Sequence, residues 1–332
     1  MVLQLCLGDA TRFGSVGGEA AGNLPGMSGW PVRVEIGEVG PRDGLQNEAI
    51  VAVADRIRLI DALSATGLRQ IEAVSFVSPT AIPPMAGAAD VMAGITRVPG
   101  VTYRALVPNV RGAEMALAAT VDEIEVVVSA SETHNRKNVN RSVEDSIVAA
   151  GELTALAHAA QTPVEAIVST AFGCPYEGDV PELRVATIAA QLRDSGADRV
   201  SFGDTTGMAT PTRVHTLLDA LGAVGISPDT ISLHFHNTRG TGLANVLAAL
   251  ECAVTRFDAS IGGLGGCPYA PGATGNIVTE DLVYMLEDMD IETGVDLDAL
   301  IACAYLAQDI VGRELPGQVM KAGPRTRTAG KS

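Results

Sequence analysis

The sequence predicts an α/β protein in which eight parallel strands close into a barrel and C-terminal helices form a cap. From residue 32 onward, short aliphatic runs alternate with helical patterns at a spacing of roughly 30 to 40 residues. Hydrophobic residues make up 47% of the chain and aromatic residues only 4%, so the core must be aliphatic. Such a core suits buried parallel strands that are covered by helices. No linker or change of composition interrupts the pattern, which indicates one domain.

The aliphatic runs predict eight strands, and the segments between them show helical periodicity. For example, Leu243, Val246, Leu247 and Leu250 recur at the spacing of one helix face. Eight strand–helix units predict a TIM (β/α)8 barrel, with a doubly wound open sheet as the structural alternative. Two further helices, at 280–289 and 297–311, predict the C-terminal cap. The predicted strands are residues 32–37, 70–75, 102–106, 123–128, 164–170, 199–202, 231–236 and 257–261.

The two ends of the chain differ from the barrel in composition. Residues 1–31 are rich in Gly and Ala and contain one arginine and two acidic residues, which fits neither a secretory signal nor a mitochondrial leader. We expect a disordered extension over 1–31, with Met27 as a possible alternative start. The barrel domain is predicted to span 32–315, and the basic, polar end suggests a flexible tail over 316–332.

Composition excludes several classes of function. The net charge of −16 argues against a nucleic-acid partner, which would require clustered Lys and Arg. The five cysteines form no CxxC pair, so neither a disulfide framework nor a zinc knuckle is indicated. A reducing cytoplasm is the natural setting. No apolar run approaches the roughly 20 residues of a membrane helix, so no membrane association is expected.

His234 and His236 are the most informative pair of residues. Residues two apart on a strand point to the same side, so both imidazoles are expected inside the barrel at its upper end. Asp43 follows the first strand in Gly40-Pro41-Arg42-Asp43-Gly44 and should stand at the same mouth. Two imidazoles and a carboxylate suit a divalent cation. The alternatives are a luminal histidine with an ordinary hydrogen bond and a turn aspartate that caps a helix.

Three other side chains carry possible chemistry. Arg42 offers a fork of donors for a developing oxyanion. Glu72 lies on the second strand, where a carboxylate inside a barrel needs a partner, and Arg42 is the expected one. Cys267 follows the eighth strand in Gly262-Gly263-Leu264-Gly265-Gly266-Cys267, a glycine-rich loop that could bring a thiol to an active site. Cys252 and Cys303 fall in helical patterns and are expected to be core residues, whereas Cys174 is ambiguous.

Several segments together resemble the 3-hydroxy-3-methylglutaryl-CoA lyases, a family of metal-dependent barrels related to the Claisen-condensing synthases. The segments occur in order from about residue 34 to residue 295, and the Gly-Gly-Cys-Pro-Tyr loop distinguishes the lyases from synthases and aldolases. They are Glu38 to Glu48, Ser75 to Pro79, Ser129 to Glu132, Gly173 to Gly178, the His234–His236 strand end, Gly265 to Ala270, and Gly275-Asn276 followed by Thr279 to Tyr284.

The resemblance implies cleavage of a 3-hydroxy-acyl-CoA to acetyl-CoA and acetoacetate. Its implied ligands for Mg²⁺ or Mn²⁺ are Asp43, His234, His236 and Asn276. Its implied catalytic residues are Arg42, which stabilises an enolate, Cys267, and the supporting acids Glu72 and Asp204. Candidate substrate contacts are Ser75, Asn138 and Thr205. The implied partners are an acyl-CoA substrate and a second copy in a homodimer.

The sequence departs from the family pattern at three places. Thr80-Ala81 stands where Lys-Trp is typical, Asn237-Thr238-Arg239-Gly240 where Asp-Thr-Tyr-Gly is typical, and Ala49 where Lys is typical. These positions leave the acyl group open, so citramalyl-CoA or a longer 3-hydroxyglutaryl-CoA is an alternative substrate. A condensing synthase or aldolase is the rival enzyme, and a non-catalytic CoA-binding barrel is the rival without chemistry.

Overall fold

The computed structural model describes residues 29–266 and 275–327. The predicted N-terminal extension therefore lies almost wholly outside the described residues. The same holds for Cys6, for Cys267 and for the last five residues of the predicted tail.

Eight parallel strands form a closed barrel, in the order in which they occur along the chain. Strand β8 pairs with β1 from Glu35↔Arg256 to Glu38↔Ala259, and this pairing closes the sheet. The TIM-barrel prediction is confirmed, and the open-sheet alternative is wrong. The strands are β1 (Glu35–Glu38), β2 (Gln70–Ser75), β3 (Thr102–Leu106), β4 (Glu123–Ser129), β5 (Val164–Ser169), β6 (Arg199–Gly203), β7 (Ile231–His234) and β8 (Arg256–Ala259).

Helices follow the strands, and the last ones extend beyond the barrel repeat. Helices α9 and α10 correspond to the two predicted cap helices. In the described residues, the α-helices are α1 (Val53–Ser64), α2 (Ala88–Gly94), α3 (Val110–Ala118), α4 (Glu132–Val139), α5 (Val143–Ala159), α6 (Glu182–Asp194), α7 (Pro211–Ala223), α8 (Gly242–Glu251), α9 (Thr279–Asp288), α10 (Leu297–Val311) and α11 (Val319–Ala322). Within the ranges that the structure covers, none of these helices has the length and hydropathy to cross a bilayer.

Side-chain alternation along the strands separates the aliphatic core from a polar lumen. On β5, Val164, Ala166 and Val168 are fully buried and belong to the hydrophobic core between sheet and helices. Between them, Glu165 bonds to side chains from other strands across the barrel interior. Because parallel strands in register bring equivalent positions to the same height, the luminal polar residues form layers.

The segment assigned to the tail begins with packed structure. Helix α11 lies inside it, and Val319 and Met320 are buried. The hydroxyl of Tyr305 on α10 donates to the Met320 carbonyl at 2.7 Å. Asp281 on α9 accepts hydrogen bonds from the backbone N–H groups of Gln318 and Val319. The chain therefore stays attached to the cap helices at least as far as α11.

Candidate active site

Asp43 is placed by a short π-helical turn, Gly40–Gly44, directly after β1. The backbone N–H groups of Arg42 and Gly44 both donate to the Val39 carbonyl, which ties the turn to the strand end. Gly44 lacks a side chain where the chain comes close to the loop after β8, since a Cβ there would lie 2.7 Å from Leu264 Cβ. Asp43 consequently stands at the barrel mouth, as predicted.

His234 and His236 enter the same mouth from the neighbouring side of the barrel. His234 ends β7, and His236 lies just beyond it, bridged through its backbone to Asn276. The two Nε2 atoms face each other at 3.1 Å. The predicted strand over 231–236 is therefore two residues too long, but the inference that both imidazoles point to one side is confirmed.

The three side chains converge on one point. One potential ligand atom from each of Asp43, His234 and His236 lies within 4.8 Å of the others. Asn276 completes the group, because its amide Nδ2 donates to Asp43 Oδ2 at 2.8 Å while its Oδ1 is buried without a hydrogen-bond partner in the part of the chain that the structure describes. Two imidazole nitrogens, a carboxylate and a free amide oxygen are a donor set that fits a divalent cation. These residues form a candidate metal site.

Arg42 and Glu72 form a buried ion pair beside this site. The Arg42 guanidinium contacts Glu72 through Nε and Asp43 Oδ1 through Nη1, the latter at 2.7 Å. The expected partnership of Glu72 with Arg42 is confirmed. Burial alone would raise the pKa of Asp43, but Arg42, the two histidines and the Asn276 hydrogen bond outweigh it and hold that pKa well below its usual range. Asp43 is therefore ionised and available as a ligand.

The two histidines differ in their surroundings. Burial and the neighbouring His234 lower the pKa of His236 to about 3, so His236 is neutral at physiological pH. Burial also opposes the charged form of His234, but contact with Asp258 and Asp43 raises its pKa above the ordinary value. A bound cation requires the neutral form of both rings.

A cavity of about 520 Å³ opens above the candidate metal site. Its lining combines luminal polar groups with side chains from the loops after the strands and from α4 and α5. Among the predicted site residues, the lining includes Arg42, Asp43, Glu72, Asn138, Thr205, His234 and His236. The structure therefore brings three of the four proposed metal ligands, the Arg42–Glu72 pair and two of the three candidate substrate contacts to one cavity, whereas Asn276 reaches the site through Asp43 without lining the cavity.

Ser75 and Asp204 do not line this cavity. The Ser75 hydroxyl is buried and donates to the Leu106 carbonyl at 3.3 Å. Asp204 Oδ1 accepts hydrogen bonds from the N–H groups of Met208 and Ala209, so the carboxyl orders the loop after β6. Burial raises the pKa of Asp204 to about 7 against these bonds. Both side chains therefore stabilise the backbone near the cavity without lining it.

Cys267, the predicted acid, lies outside the described residues. Gly266, immediately before it in the chain, lines the cavity. Of the other cysteines, Cys303 is buried in the core and Cys252 packs against it, as expected. Cys174 is buried, and its thiol donates to the Ser131 hydroxyl at 2.9 Å.

Four luminal charged residues were missed by sequence reasoning: Arg104, Glu125, Glu165 and Asp258. Arg104 contacts all three acids, with N–O distances of 2.9 to 3.1 Å. Glu125 and Asp258 also line the cavity. The strand alternation that placed Glu72 in the lumen would have found them, because each is a charged residue between aliphatic or aromatic neighbours on a predicted strand.

Of the positions that depart from the family pattern, only Ala81 is among the residues that line the cavity in the described part of the chain. Ala81 lines it, and no large side chain follows Pro79 there. Arg239 Nη1 donates to the carbonyls of Thr206 and Gly207 at 2.7 and 2.8 Å, so this guanidinium joins the loops after β6 and β7. Arg239 does not line the cavity.

Comparison with known proteins gives the family. The HMGL-like family model matches residues 33–306, which include every residue of the candidate metal site. The chain belongs to the HMGL-like family.

Individual relatives of this HMGL-like chain match it over most of its length. A hydroxymethylglutaryl-CoA lyase of Bacillus subtilis is 50% identical over 290 residues, which cover 87% of this chain and 97% of the relative. The crystal structure of the HMG-CoA lyase of that organism superposes with a TM-score of 0.87 at 49% identity, covering 89% of this chain and 99% of the other. An HMG-CoA lyase of Acinetobacter baumannii in complex with coenzyme A and 3-methylmalate gives 0.86 at 43% identity, covering 90% and 98%.

Proposed function

We propose that this HMGL-like protein cleaves 3-hydroxy-3-methylglutaryl-CoA to acetyl-CoA and acetoacetate. It is a carbon–carbon lyase, since it shares about half of its residues with a hydroxymethylglutaryl-CoA lyase over nearly the full length of that enzyme. The observation that carries the proposal is the convergence of Asp43, His234 and His236 beside the Arg42–Glu72 pair in one cavity. A metal-assisted cleavage that generates an enolate needs a metal site and, beside it, a cationic hydrogen-bond donor for the enolate oxygen.

The proposed cation is Mg²⁺ or Mn²⁺, held by Asp43, His234, His236 and Asn276. When bound, it supplies Lewis acidity that lowers the pKa of the C3 hydroxyl of the substrate. Asn276 Oδ1 has no hydrogen-bond partner within residues 29–266 and 275–327, which supports its place as the fourth ligand, because a buried amide oxygen without a partner is costly. Metal analysis of the purified protein would distinguish the two ions.

The remaining steps fall to side chains around the cavity. A base, either Asp43 or His234, takes the proton of the C3 hydroxyl, and the C2–C3 bond then breaks to release acetoacetate. The electron pair passes to C2 and forms the enolate of the acetyl thioester, whose oxygen accepts hydrogen bonds from Arg42. Cys267 gives a proton to C2, which completes acetyl-CoA. Glu72 orients the Arg42 guanidinium, and Asp204 orders the loop that carries Thr205.

The acyl-CoA is proposed to enter through the same cavity. Asn138 on α4 and Thr205 in the loop after β6 line it, and Ser75 at the end of β2 bonds to the Leu106 carbonyl. Support for a CoA thioester comes from the Acinetobacter baumannii relative, whose structure was determined with coenzyme A and 3-methylmalate.

The direct test is an assay of acetyl-CoA release from several 3-hydroxy-acyl-CoA substrates, with and without EDTA. We expect turnover of 3-hydroxy-3-methylglutaryl-CoA that EDTA abolishes and Mg²⁺ or Mn²⁺ restores. Turnover of citramalyl-CoA in preference to the methylglutaryl substrate would contradict the proposed specificity.

Cys267→Ala separates the lyase from the rival enzyme class. A lyase that uses the thiol as its acid should lose turnover by about 10²-fold or more. A condensing synthase or aldolase on the same barrel has no need of this thiol, so a fully active variant would favour it. Cys252→Ala, in the core region away from the cavity, is the matched control.

We also propose that the protein acts as a homodimer in the cytoplasm. The family resemblance supports the dimer, and sedimentation analysis should give twice the chain mass of 34.2 kDa. A monomer at assay concentrations would contradict it. Fractionation of the producing cells tests the location.

A further inference from the structure

Asp258 lies behind the metal ligand His234, on the side away from the candidate cation. The two residues are direct partners in the register of β7 and β8. His234 Nδ1 faces Asp258 Oδ2 at 3.5 Å, while Nε2 on the other edge of the ring faces Asp43 and His236. A movement of the ring by about 0.5 Å would bring His234 Nδ1 and Asp258 Oδ2 to ordinary hydrogen-bond length.

Arg104 fixes the Asp258 carboxylate from below. Its Nη2 lies 3.1 Å from Asp258 Oδ1, which leaves Oδ2 directed at His234. Arg104 is itself held by Glu165 at 2.9 Å and by Glu125 at 3.0 Å, and it is only 1% exposed. With three anchored contacts, this guanidinium has little freedom to move.

Gly37 on β1 leaves the space in which Arg104 and Asp258 meet. A Cβ at this position would lie 2.3 Å from Asp258 Oδ1 and 2.6 Å from Arg104 Nη2. Either contact is too close for atoms that are not bonded, so a side chain here would displace the ion pair. Strands β1, β3 and β8, which carry Gly37, Arg104 and Asp258, thus leave a space that fits the Asp258 carboxylate.

The other histidine has no equivalent support. His236 Nδ1 is buried and has no hydrogen-bond partner among the described residues. A metal-ligating histidine usually donates its second ring N–H to a carboxylate or carbonyl, which selects the tautomer and orients the ring. In this lumen, His234 meets that condition.

We propose that Asp258 is a positioning residue that holds His234 with its proton on Nδ1, so that the Nε2 lone pair points at the cation, and that Arg104 and Gly37 fix Asp258 for this purpose. The inference rests on the proposed metal site. It assigns Asp258 no contact with the substrate and no proton transfer in the reaction, and it leaves Asp43 as the base, because His234 with a proton on Nδ1 and Nε2 directed at the cation has no free lone pair.

The test compares Mn²⁺ binding by the full chain and by Asp258→Asn, measured by titration calorimetry and by electron paramagnetic resonance. We expect about 10- to 100-fold weaker binding with an unchanged circular dichroism spectrum. Glu123→Gln is the matched control, because Glu123 is a buried acid of the same barrel paired with Arg199, and its Mn²⁺ affinity should stay within about twofold. Asp258→Asn with wild-type affinity would overturn the inference.

Two further measurements keep the proposal testable if Asp258→Asn does not fold. Gly37→Ala should displace the carboxylate and weaken Mn²⁺ binding, and unchanged binding in the folded variant would count against it. Nitrogen-15 chemical shifts of the metal-free protein, recorded at a pH where His234 is neutral, should show its proton on Nδ1, and a neutral ring protonated at Nε2 would also overturn it. These measurements need no substrate. They therefore still test the positioning role of Asp258 if the lyase assay alone fails. Wild-type protein that binds no Mn²⁺ would overturn both the metal site and this inference.

Discussion

The upper layer of the barrel lumen, at its mouth, and the lower layer, around Arg104, use the same residue types for different purposes. In the upper layer, Asp43, His234 and His236 turn their acceptor atoms toward one another, and Asn276 Oδ1 has no partner among the described residues. In the lower layer, three acids converge on Arg104 at hydrogen-bonding distance. The upper layer offers acceptor atoms to a cation from outside the chain, whereas the lower layer carries its own cation, Arg104. We therefore expect loss of the upper carboxylate Asp43 to affect mainly function and loss of Arg104 to affect mainly stability, with Asp258 linking the two layers.

The largest effect is expected from Asp43→Ala in the upper layer. Removal of this carboxylate ligand should lower kcat/KM by about 10³-fold or more and abolish Mn²⁺ binding. The free energy of unfolding without metal should fall by less than is expected for the lower layer, because Arg42 keeps its contact with Glu72 when Asp43 is removed. Activity measurements and urea denaturation check the two parts. A large loss of stability in the metal-free variant would break the contrast between the layers.

The opposite result is expected from Arg104→Met in the lower layer. This change leaves Glu125, Glu165 and Asp258 buried without their common cation, which should cost about 3–5 kcal/mol of unfolding free energy. Urea denaturation measures the loss. Arg193→Met on the surface, where Arg193 pairs with Asp194, should cost less than about 0.5 kcal/mol and serves as the control. A loss of unfolding free energy below about 1 kcal/mol for Arg104→Met would show that the ion pairs of the lower layer contribute little to stability.

Arg42 combines features of the two layers, because it contacts the proposed metal ligand Asp43 as well as the buried acid Glu72. Arg42→Met should lower kcat by about 10²-fold through loss of the enolate donor. Binding of Mn²⁺ should not weaken, since a neighbouring positive charge is removed. Steady-state kinetics and calorimetry on the same preparations separate these effects. Weaker Mn²⁺ binding would mean that Arg42 chiefly positions Asp43.

The smallest effect concerns pH and a carboxyl outside the lumen. Burial raises the pKa of Glu280 from 4.5 to about 8, and the hydrogen bond from Gly262 offsets this only in part. A carboxyl whose folded-state pKa is raised binds its proton more tightly in the folded state, so stability falls as pH rises from about 5 to 8. Glu280→Gln should remove this contribution and flatten the decline between about pH 5 and 8. Parallel declines in wild type and variant would contradict the assignment.

Local sequence pattern was enough to predict the barrel, the two cap helices and the pairing of the luminal histidines. The two-residue spacing of His234 and His236 determines their shared side, and the loop positions of Asp43 and Asn276 place them at the same rim. Contacts between strands were harder to predict. The neighbourhood of Asp258 and His234 depends on the register of β7 and β8, and the partnership of Arg104 with three acids depends on closure of the barrel.

Ser75 shows how a local irregularity limits prediction. The register of β2 against β3 shifts between Glu72 and Val74, and Ser75 then pairs with Leu106. A strand with such a bulge no longer alternates regularly, so the side of a residue beyond it cannot be read from spacing. Asp204 was placed at the correct strand end, but its bonds to backbone N–H groups depend on the fold of the following loop.

Gly265 and Gly275 bring the two ends of the segment 267–274 together. A Cβ on Gly275 would lie 2.7 Å from the carbonyl carbon of Gly265, so the two backbones meet without a side chain between them. Closing a chain segment of this length at fixed ends changes little in free energy when a few residues are added or removed. Changes between Gly266 and Gly275 should therefore leave Asp43, His234 and His236, which lie on other segments, in place. The proposed proton donor, Cys267, can in this way change independently of the residues proposed to hold the cation.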